Sequence, residues 1–153
     1  RCLPHLNKVF KTGWPAQLCR TGLRVCIKSC KFFGKLETAL RLYARQIGFY
    51  SGKPKDWTES RTEILNKRNI SLRYPNIEGG EFLIEALQQM GPFTYMQSGE
   101  LTSQSWAEIT AFCSCSDLIE TTREAQLLHG LSQEFCEGHR RGVNPLGIEP
   151  MAE

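Results

Sequence analysis

The sequence predicts an all-α protein, a small bundle of four to five helices behind an irregular N-terminal segment. Three observations predict it. Apolar residues recur at spacings of three and four in several segments, which is the period of a helix. Two Ser/Thr-x-x-Glu capping boxes mark helix starts, and a Gly-Pro pair ends another helix. With 153 residues, of which 41% are hydrophobic, the chain can form one core of ordinary size.

The first half of the chain contains two predicted helices and one ambiguous segment. Over residues 35–48 the apolar residues fall on one helical face: Leu36, Leu40, Tyr43 and Ile47. Gly48 is the predicted C-terminal stop of this helix. A shorter helix is expected over residues 59–68, with Thr58 as its N-cap. Residues 17–33 fit a half-buried strand and a helix about equally well.

A third helix is predicted over residues 80–90, where apolar residues cover more than one face. Gly91 and Pro92 follow it, and this pair is a strong stop because glycine accepts a left-handed cap and proline cannot continue a helix. Residues 92–104 read as a polar loop.

The last two helices have the strongest start signals. A capping box at Ser105 and Glu108 predicts a helix over residues 106–115. A second box, Thr121-Thr122-Arg123-Glu124, predicts a helix over residues 122–139, and Gly142 is the expected stop.

These elements divide the chain into three parts. Residues 1–34 form an irregular, basic segment that contains four of the seven cysteines. Residues 35–142 form the helical domain. Residues 143–153 contain two prolines and no periodicity, so a flexible tail is expected.

The charge is strongly polarised along the chain. Residues 1–70 carry 15 Lys/Arg and 4 Asp/Glu, whereas residues 71–153 carry 4 Lys/Arg and 12 Asp/Glu. Such a chain can fold back on itself, pair with a second copy as a homo-oligomer, or bind a polyanion through its basic end. The polyanion contacts would be Arg20, Arg24, Lys28 and Lys31. A small nucleic-acid-binding accessory protein is therefore the alternative function, although neither a helix-turn-helix nor zinc-finger spacing is present.

No residue pattern indicates catalysis. The cysteine and histidine spacings do not provide the two close ligand pairs of a structural zinc site, so we expect neither a metal nor a cofactor. Phosphate-loop and nucleophile-elbow motifs are absent from the sequence. A thiol-dependent enzyme stays open, because folding could assemble a Cys–His pair. No apolar stretch approaches the roughly 20 residues of a membrane span, and we expect reduced thiols in a cytosol.

From residue 35 onward, the order of elements resembles the tail assembly chaperones and tail-region accessory proteins of long-tailed bacteriophages and prophages. The most similar pieces are Ser105 to Ile109 and Thr122 to Phe135, in which a capped Trp-x-Glu start precedes a helix with a Leu-x2-Leu core. The resemblance covers about residues 35–141. It implies a non-enzymatic protein that binds the tape-measure protein or tail tube subunits in the cytoplasm of the bacterial host.

Five apolar residues of the helical domain are the candidate partner contacts: Phe82, Leu87, Trp106, Leu128 and Phe135. For Trp106, a hydrophobic anchor within the fold is favoured over an interface hot spot, since aromatic bulk serves both. Residues 1–33 do not resemble that family. Because the sequence opens on Arg1, we also expect that this segment comes from a frameshift or overlap.

Overall fold

The computed structural model describes residues 19–152, with side chains described from residue 34. The chain divides into two units, Arg1–Gly34 and Lys35–Glu153. Over the described range there are five α-helices, one two-stranded hairpin and a 3-10 turn: α1 (Cys19–Ser51), α2 (Arg61–Lys67), α3 (Glu81–Met90), β1 (Thr94–Tyr95), β2 (Leu101–Thr102), α4 (Trp106–Cys115), α5 (Thr122–Val143) and the 3-10 turn Pro150–Ala152. The prediction of a mostly helical protein is confirmed.

The two capped helices begin where the sequence predicts. The Ser105 side chain accepts a hydrogen bond from the backbone N–H of Glu108, and the Glu108 carboxylate accepts one from the N–H of Ser105. Thr121 and Glu124 form the same reciprocal pair at the start of α5. Each box satisfies donors that a helix start leaves unpaired, so both starts are set locally.

Two predicted boundaries in the first half need correction. Helix α1 starts at Cys19, well before the helix predicted over residues 35–48, and it includes residues 19–33, which fit a strand and a helix equally well in sequence; residues 1–18 lie outside the described range. Helix α2 is capped by Ser60 rather than Thr58, and Ser60 forms a third capping box with Glu63. The sequence reading placed this cap two residues too early.

Glycines predicted to end helices instead lie inside the interface between α1 and α5. A Cβ added to Gly48 would lie well within 3.0 Å of the Phe135 carbonyl oxygen. A Cβ added to Gly138 would come equally close to the carbonyl oxygen of Arg45. Gly48 is therefore not a stop, because the missing side chain lets the two backbones touch and α1 continues for another three residues.

Gly142 has the same role one turn further along. Its added Cβ would overlap the Phe49 carbonyl oxygen, so α5 continues past this glycine to Val143. Contacts advance along both helices in the same order, so α1 and α5 run in the same direction. Small residues four apart on each helix make this close approach feasible, as in other small-xxx-small helix pairs.

The core surrounds α5, which also contacts α3, α4 and β2. It consists of aliphatic side chains from four helices and two loops: Leu40, Ala44, Ile77, Leu83, Ile84, Ala86, Leu87, Ile109, Ile119, Leu128 and Leu131. Burying each of the larger side chains contributes about 1.5–3 kcal/mol to folding.

The loop predicted over residues 92–104 contains the short hairpin β1–β2, paired antiparallel with Thr94 opposite Thr102. Two-residue strands are too short to show alternation in sequence. Ser132 of α5 fixes this loop: its hydroxyl donates to the Pro92 carbonyl at 2.7 Å and accepts from the backbone N–H of Gln104 at 2.8 Å. The hairpin is thereby held against α5.

The segment expected to be a flexible tail is instead docked. The Glu149 carboxylate accepts hydrogen bonds from the Gln46 side-chain amide at 2.5 Å and from the Tyr50 hydroxyl at 2.6 Å. Pro150 is buried next to it. Hydrogen bonds to one carboxylate and the burial of one proline thus help to order a segment whose sequence has no periodicity.

Candidate functional site

The structure separates the five candidate partner contacts into core and surface. Leu87, Leu128 and Phe135 are at most 4% exposed, so they are core residues. Their assignment as partner contacts is corrected, because a side chain without exposed surface cannot touch a partner in the folded state. Phe82 is half-buried against the same core. Trp106 alone among the five is an exposed side chain.

Trp106 lies at the edge of an open groove of about 370 Å³ between α4 and the start of α5. One face of α4 and the residues leading into α5 line this groove: Trp106, Ile109, Thr110, Cys113, Ser114, Ile119, Glu120, Thr121, Thr122 and Ala125. The α4 residues recur at spacings of three and four, which places them on one side of the helix. Ile109 and Ile119 form an apolar floor, since both are buried.

The Trp106 ring is fixed by stacking on His129 of α5. The ring centroids are 4.5 Å apart and the planes differ by 16°. The predicted role as a hydrophobic anchor accounts for the face of the indole that stacks on His129. It does not account for the remaining surface of Trp106, because 51% of the residue is exposed. Trp106 is therefore both an anchor and a rigid aromatic surface open to a partner.

The rim of the groove carries Glu120 and belongs to an acidic segment of the chain. Residues 105–125 contain Glu108, Asp117, Glu120 and Glu124 but a single basic residue, Arg123. Partial burial acts to raise the pKa of Glu124, but hydrogen bonds from the Thr121 and Glu120 backbone outweigh it, and the pKa is lowered. The carboxylate therefore stays ionised, and the groove would favour a basic surface.

The described thiols do not form a reactive centre. Cys136 is buried, and burial raises the pKa of its thiol to about 11. Cys113 is half-buried in the groove and Cys115 is exposed. Within residues 34–152, no three His, Cys, Asp or Glu side chains are close enough together to hold a metal ion. The side chains of the other four cysteines, Cys2, Cys19, Cys26 and Cys30, lie outside this range.

The two histidines of α5 pack against different aromatic side chains. His129 stacks on Trp106, whereas His139 packs against the Phe93 ring with centroids 6.5 Å apart. Burial lowers the pKa of His139 below its ordinary value. Each ring thus makes an aromatic contact that helps to order the region around the groove or the hairpin.

The basic candidates remain a prediction. The structure describes the backbone, within α1, but not the side chains of the four basic residues: Arg20, Arg24, Lys28 and Lys31. In the part of the chain that the structure describes, no helix combines the length and apolarity needed to cross a membrane.

Sequence reasoning missed the groove and the cluster around Glu149. A signal for the groove was present, since Trp106, Ile109 and Cys113 share one face of the predicted α4. For the Glu149 cluster no local signal exists, because Gln46 and Tyr50 are about a hundred residues away in sequence.

Protein-family models, curated proteins and solved structures were compared with the chain, and none of them matches it. The interpretation of the groove therefore depends on its own geometry and charge.

Proposed function

We propose that this chain is a non-enzymatic assembly factor that binds another protein in the groove between α4 and α5. The observation that carries the proposal is Trp106, which is half-exposed yet held rigidly against His129 at the edge of an apolar groove. Exposed aromatic residues beside a pocket supply much of the binding energy at protein interfaces. Because the ring is already ordered, little conformational entropy is lost when a partner packs on it.

The form of the groove favours a helical partner. An amphipathic helix can place its apolar side chains on Ile109, Ile119 and Trp106, as in other helix-in-groove complexes. The acidic rim favours basic residues along the edges of that helix. The resemblance to phage tail-region proteins supplies the class of partner: the tape-measure protein or a tail tube subunit, held before assembly in the bacterial host.

The buried thiol and the buried hydroxyl of α5, Cys136 and Ser132, serve the fold and not the groove. The Cys136 thiol is protonated at neutral pH because of its raised pKa, so it is a poor nucleophile. Ser132, the buried hydroxyl of α5, is used in two hydrogen bonds that hold the hairpin loop. Neither group faces the groove.

The experiment compares Trp106→Ala with Trp57→Ala as affinity baits in lysates of phage-infected or lysogenic cells. Trp57 is a matched control because it is 39% exposed but packs on Arg61, outside the groove. Loss of a hot-spot tryptophan worth about 2 kcal/mol weakens binding about 30-fold. We expect wild type and Trp57→Ala to retain tail proteins and Trp106→Ala to lose them.

Two results would contradict the proposal. One is equal retention of tail proteins by Trp106→Ala and wild type. The other is recovery of nucleic acid in place of tail proteins, which would favour the alternative of a basic accessory protein. Nuclease treatment of the lysate separates direct protein binding from bridging by nucleic acid.

A further inference from the structure

Three donors converge on the carboxylate of Glu149. The Gln46 side-chain amide donates at 2.5 Å and the Tyr50 hydroxyl at 2.6 Å, both from α1. The Arg73 guanidinium, from the loop before α3, donates at 3.4 Å. An amide, a hydroxyl and a guanidinium that all donate to one carboxylate favour its ionised form.

Two of the three donors belong to the rigid part of the fold, whereas the Arg73 side chain is largely exposed. Gln46 is fully buried in α1, and its Oε1 has no hydrogen-bond partner among the described residues. Tyr50 is 5% exposed and its ring packs edge-on against Tyr74, with centroids 5.8 Å apart. A buried amide and a buried hydroxyl are strongly destabilising when unpaired, so this pocket requires an acceptor.

The segment that carries Glu149, residues 144–152, is here termed the strap, and it fits against the rest of the protein at selected positions. Gly147 is required because a Cβ there would overlap the Arg141 carbonyl oxygen. Pro150 is buried. Ile148 lies between them and is 63% exposed, so its side chain contributes little to docking of the strap. The recognised pattern is therefore Gly-x-Glu-Pro.

The strap is held by few contacts. Leu146 is 89% exposed and Met151 is 38% exposed, so these apolar side chains contribute little burial. Besides the Glu149 cluster and Pro150, an anchor comes from the Arg61 guanidinium, which donates to the Asn144 carbonyl at 2.8 Å. Segments with little buried apolar area open more readily than the packed core does.

We infer that Gln46, Tyr50 and Arg73 form a carboxylate-binding peptide site for the Gly-x-Glu-Pro pattern. The strap fills the site within the chain, and the strap of a second copy fills it by exchange, since the strap is the sequence that occupies the site in the structure. Exchange of an identical segment between two copies is a route to a dimer that costs little free energy. The site shares no residue with the groove between α4 and α5.

The test uses the full chain carrying Glu149→Gln, which weakens its own strap, and a synthetic peptide of residues 143–153. Fluorescence anisotropy measures binding of the labelled peptide. We expect the Glu149→Gln chain to bind this peptide at least about tenfold more tightly than wild type does, because the internal competitor is weakened. A peptide with Glu149→Gln should bind about tenfold more weakly, and one with Ile148→Ala should bind equally well.

Hydrogen exchange of the strap amides accompanies the binding measurement. Equal binding of the Glu149 and Glu149→Gln peptides, no binding by a chain whose strap has been released, or unchanged protection of the strap would each overturn the proposal. If circular dichroism shows that Glu149→Gln disturbs the fold, Pro150→Ala loosens the strap without touching the donors and is judged by the same outcomes. Failure here leaves the proposed groove function untouched, because Trp106 takes no part in it.

Discussion

Helix α5 makes two contacts that differ in kind. Against α1 it presents Gly138 and Gly142, and the two backbones meet without intervening side chains. Against α4 its first turns leave a groove of about 370 Å³, bordered by Ala125 and the stacked Trp106–His129 pair. One contact has no spare volume, and the other has room for a partner's side chains.

The difference indicates how one helix can combine a contact for stability with an open groove. A backbone-to-backbone contact is intolerant of added volume, since a packed interface responds to each extra methyl group. A groove with one rigid aromatic edge accepts new atoms without rearrangement. The α1–α5 contact is thus the frame that keeps α5 fixed while the α4 side remains open.

The largest expected effect comes from adding a single methyl group to the frame. Gly138→Ala would force a Cβ onto the Arg45 carbonyl oxygen and should lower the free energy of unfolding by about 3 kcal/mol or more. Gly34→Ala is the matched control in α1, because its added Cβ meets nothing within 4 Å. Replacing a helical glycine there should stabilise by about 0.5–1 kcal/mol. Thermal melts of both variants measure these changes in stability. A melting temperature of Gly138→Ala equal to that of wild type would contradict the close contact between the α1 and α5 backbones.

A smaller loss of stability is expected at the groove. Trp106→Ala removes the stack on His129 but only the covered half of the indole, so it should lower the unfolding free energy by about 1 kcal/mol. Urea denaturation measures this. A loss as large as that of Gly138→Ala would make Trp106 a structural residue and remove the contrast between the two contacts.

The pH dependence of stability tests the hairpin side of α5. Because burial lowers the pKa of His139 below 6.5, the unfolded chain binds more protons near pH 6 than the folded chain. Stability therefore rises with pH through this range and is lost as pH falls below 6.5. His139→Gln should weaken this dependence between pH 7.5 and 5.5, as measured by urea denaturation. The same slope in both proteins would contradict a buried neutral imidazole.

Thiol labelling should distinguish the two regions without altering stability. Cys115 is exposed on α4, whereas Cys136 is buried and its pKa is raised to about 11. Iodoacetamide at pH 8 should modify Cys115 first and leave Cys136 unmodified until the chain unfolds. Mass spectrometry of the two tryptic peptides over time measures the order, which would be reversed or lost if α5 were loosely packed.

Local signals determined which parts of the fold were predictable. The starts of α4 and α5 follow from boxes at Ser105 and Thr121, since both partners of each hydrogen bond lie within four residues. The function of Gly48 and Gly142 was misread, because a stop and a close contact need the same residue type. Only the partner helix distinguishes them, and sequence spacing does not reveal that partner.

The candidate site was predictable to a smaller extent. Apolar periodicity identifies residues that are expected to be buried. Leu128 and Trp106 fit the helical pattern equally well, but Leu128 is buried and Trp106 is exposed. Which side of α4 stays open depends on how α5 packs. The docking of Glu149 depends on α1 residues that no local pattern connects to it.

The proposed binding in the groove between α4 and α5 is tested most directly by hydrogen–deuterium exchange of the chain alone and in complex with whichever protein the wild-type bait recovers. Bound partner should protect amides of residues 106–125 and leave those of residues 44–52, in the α1–α5 frame, unchanged. Protection confined to the frame or to the strap, with residues 106–125 exchanging as in the free chain, would contradict the groove as the binding surface.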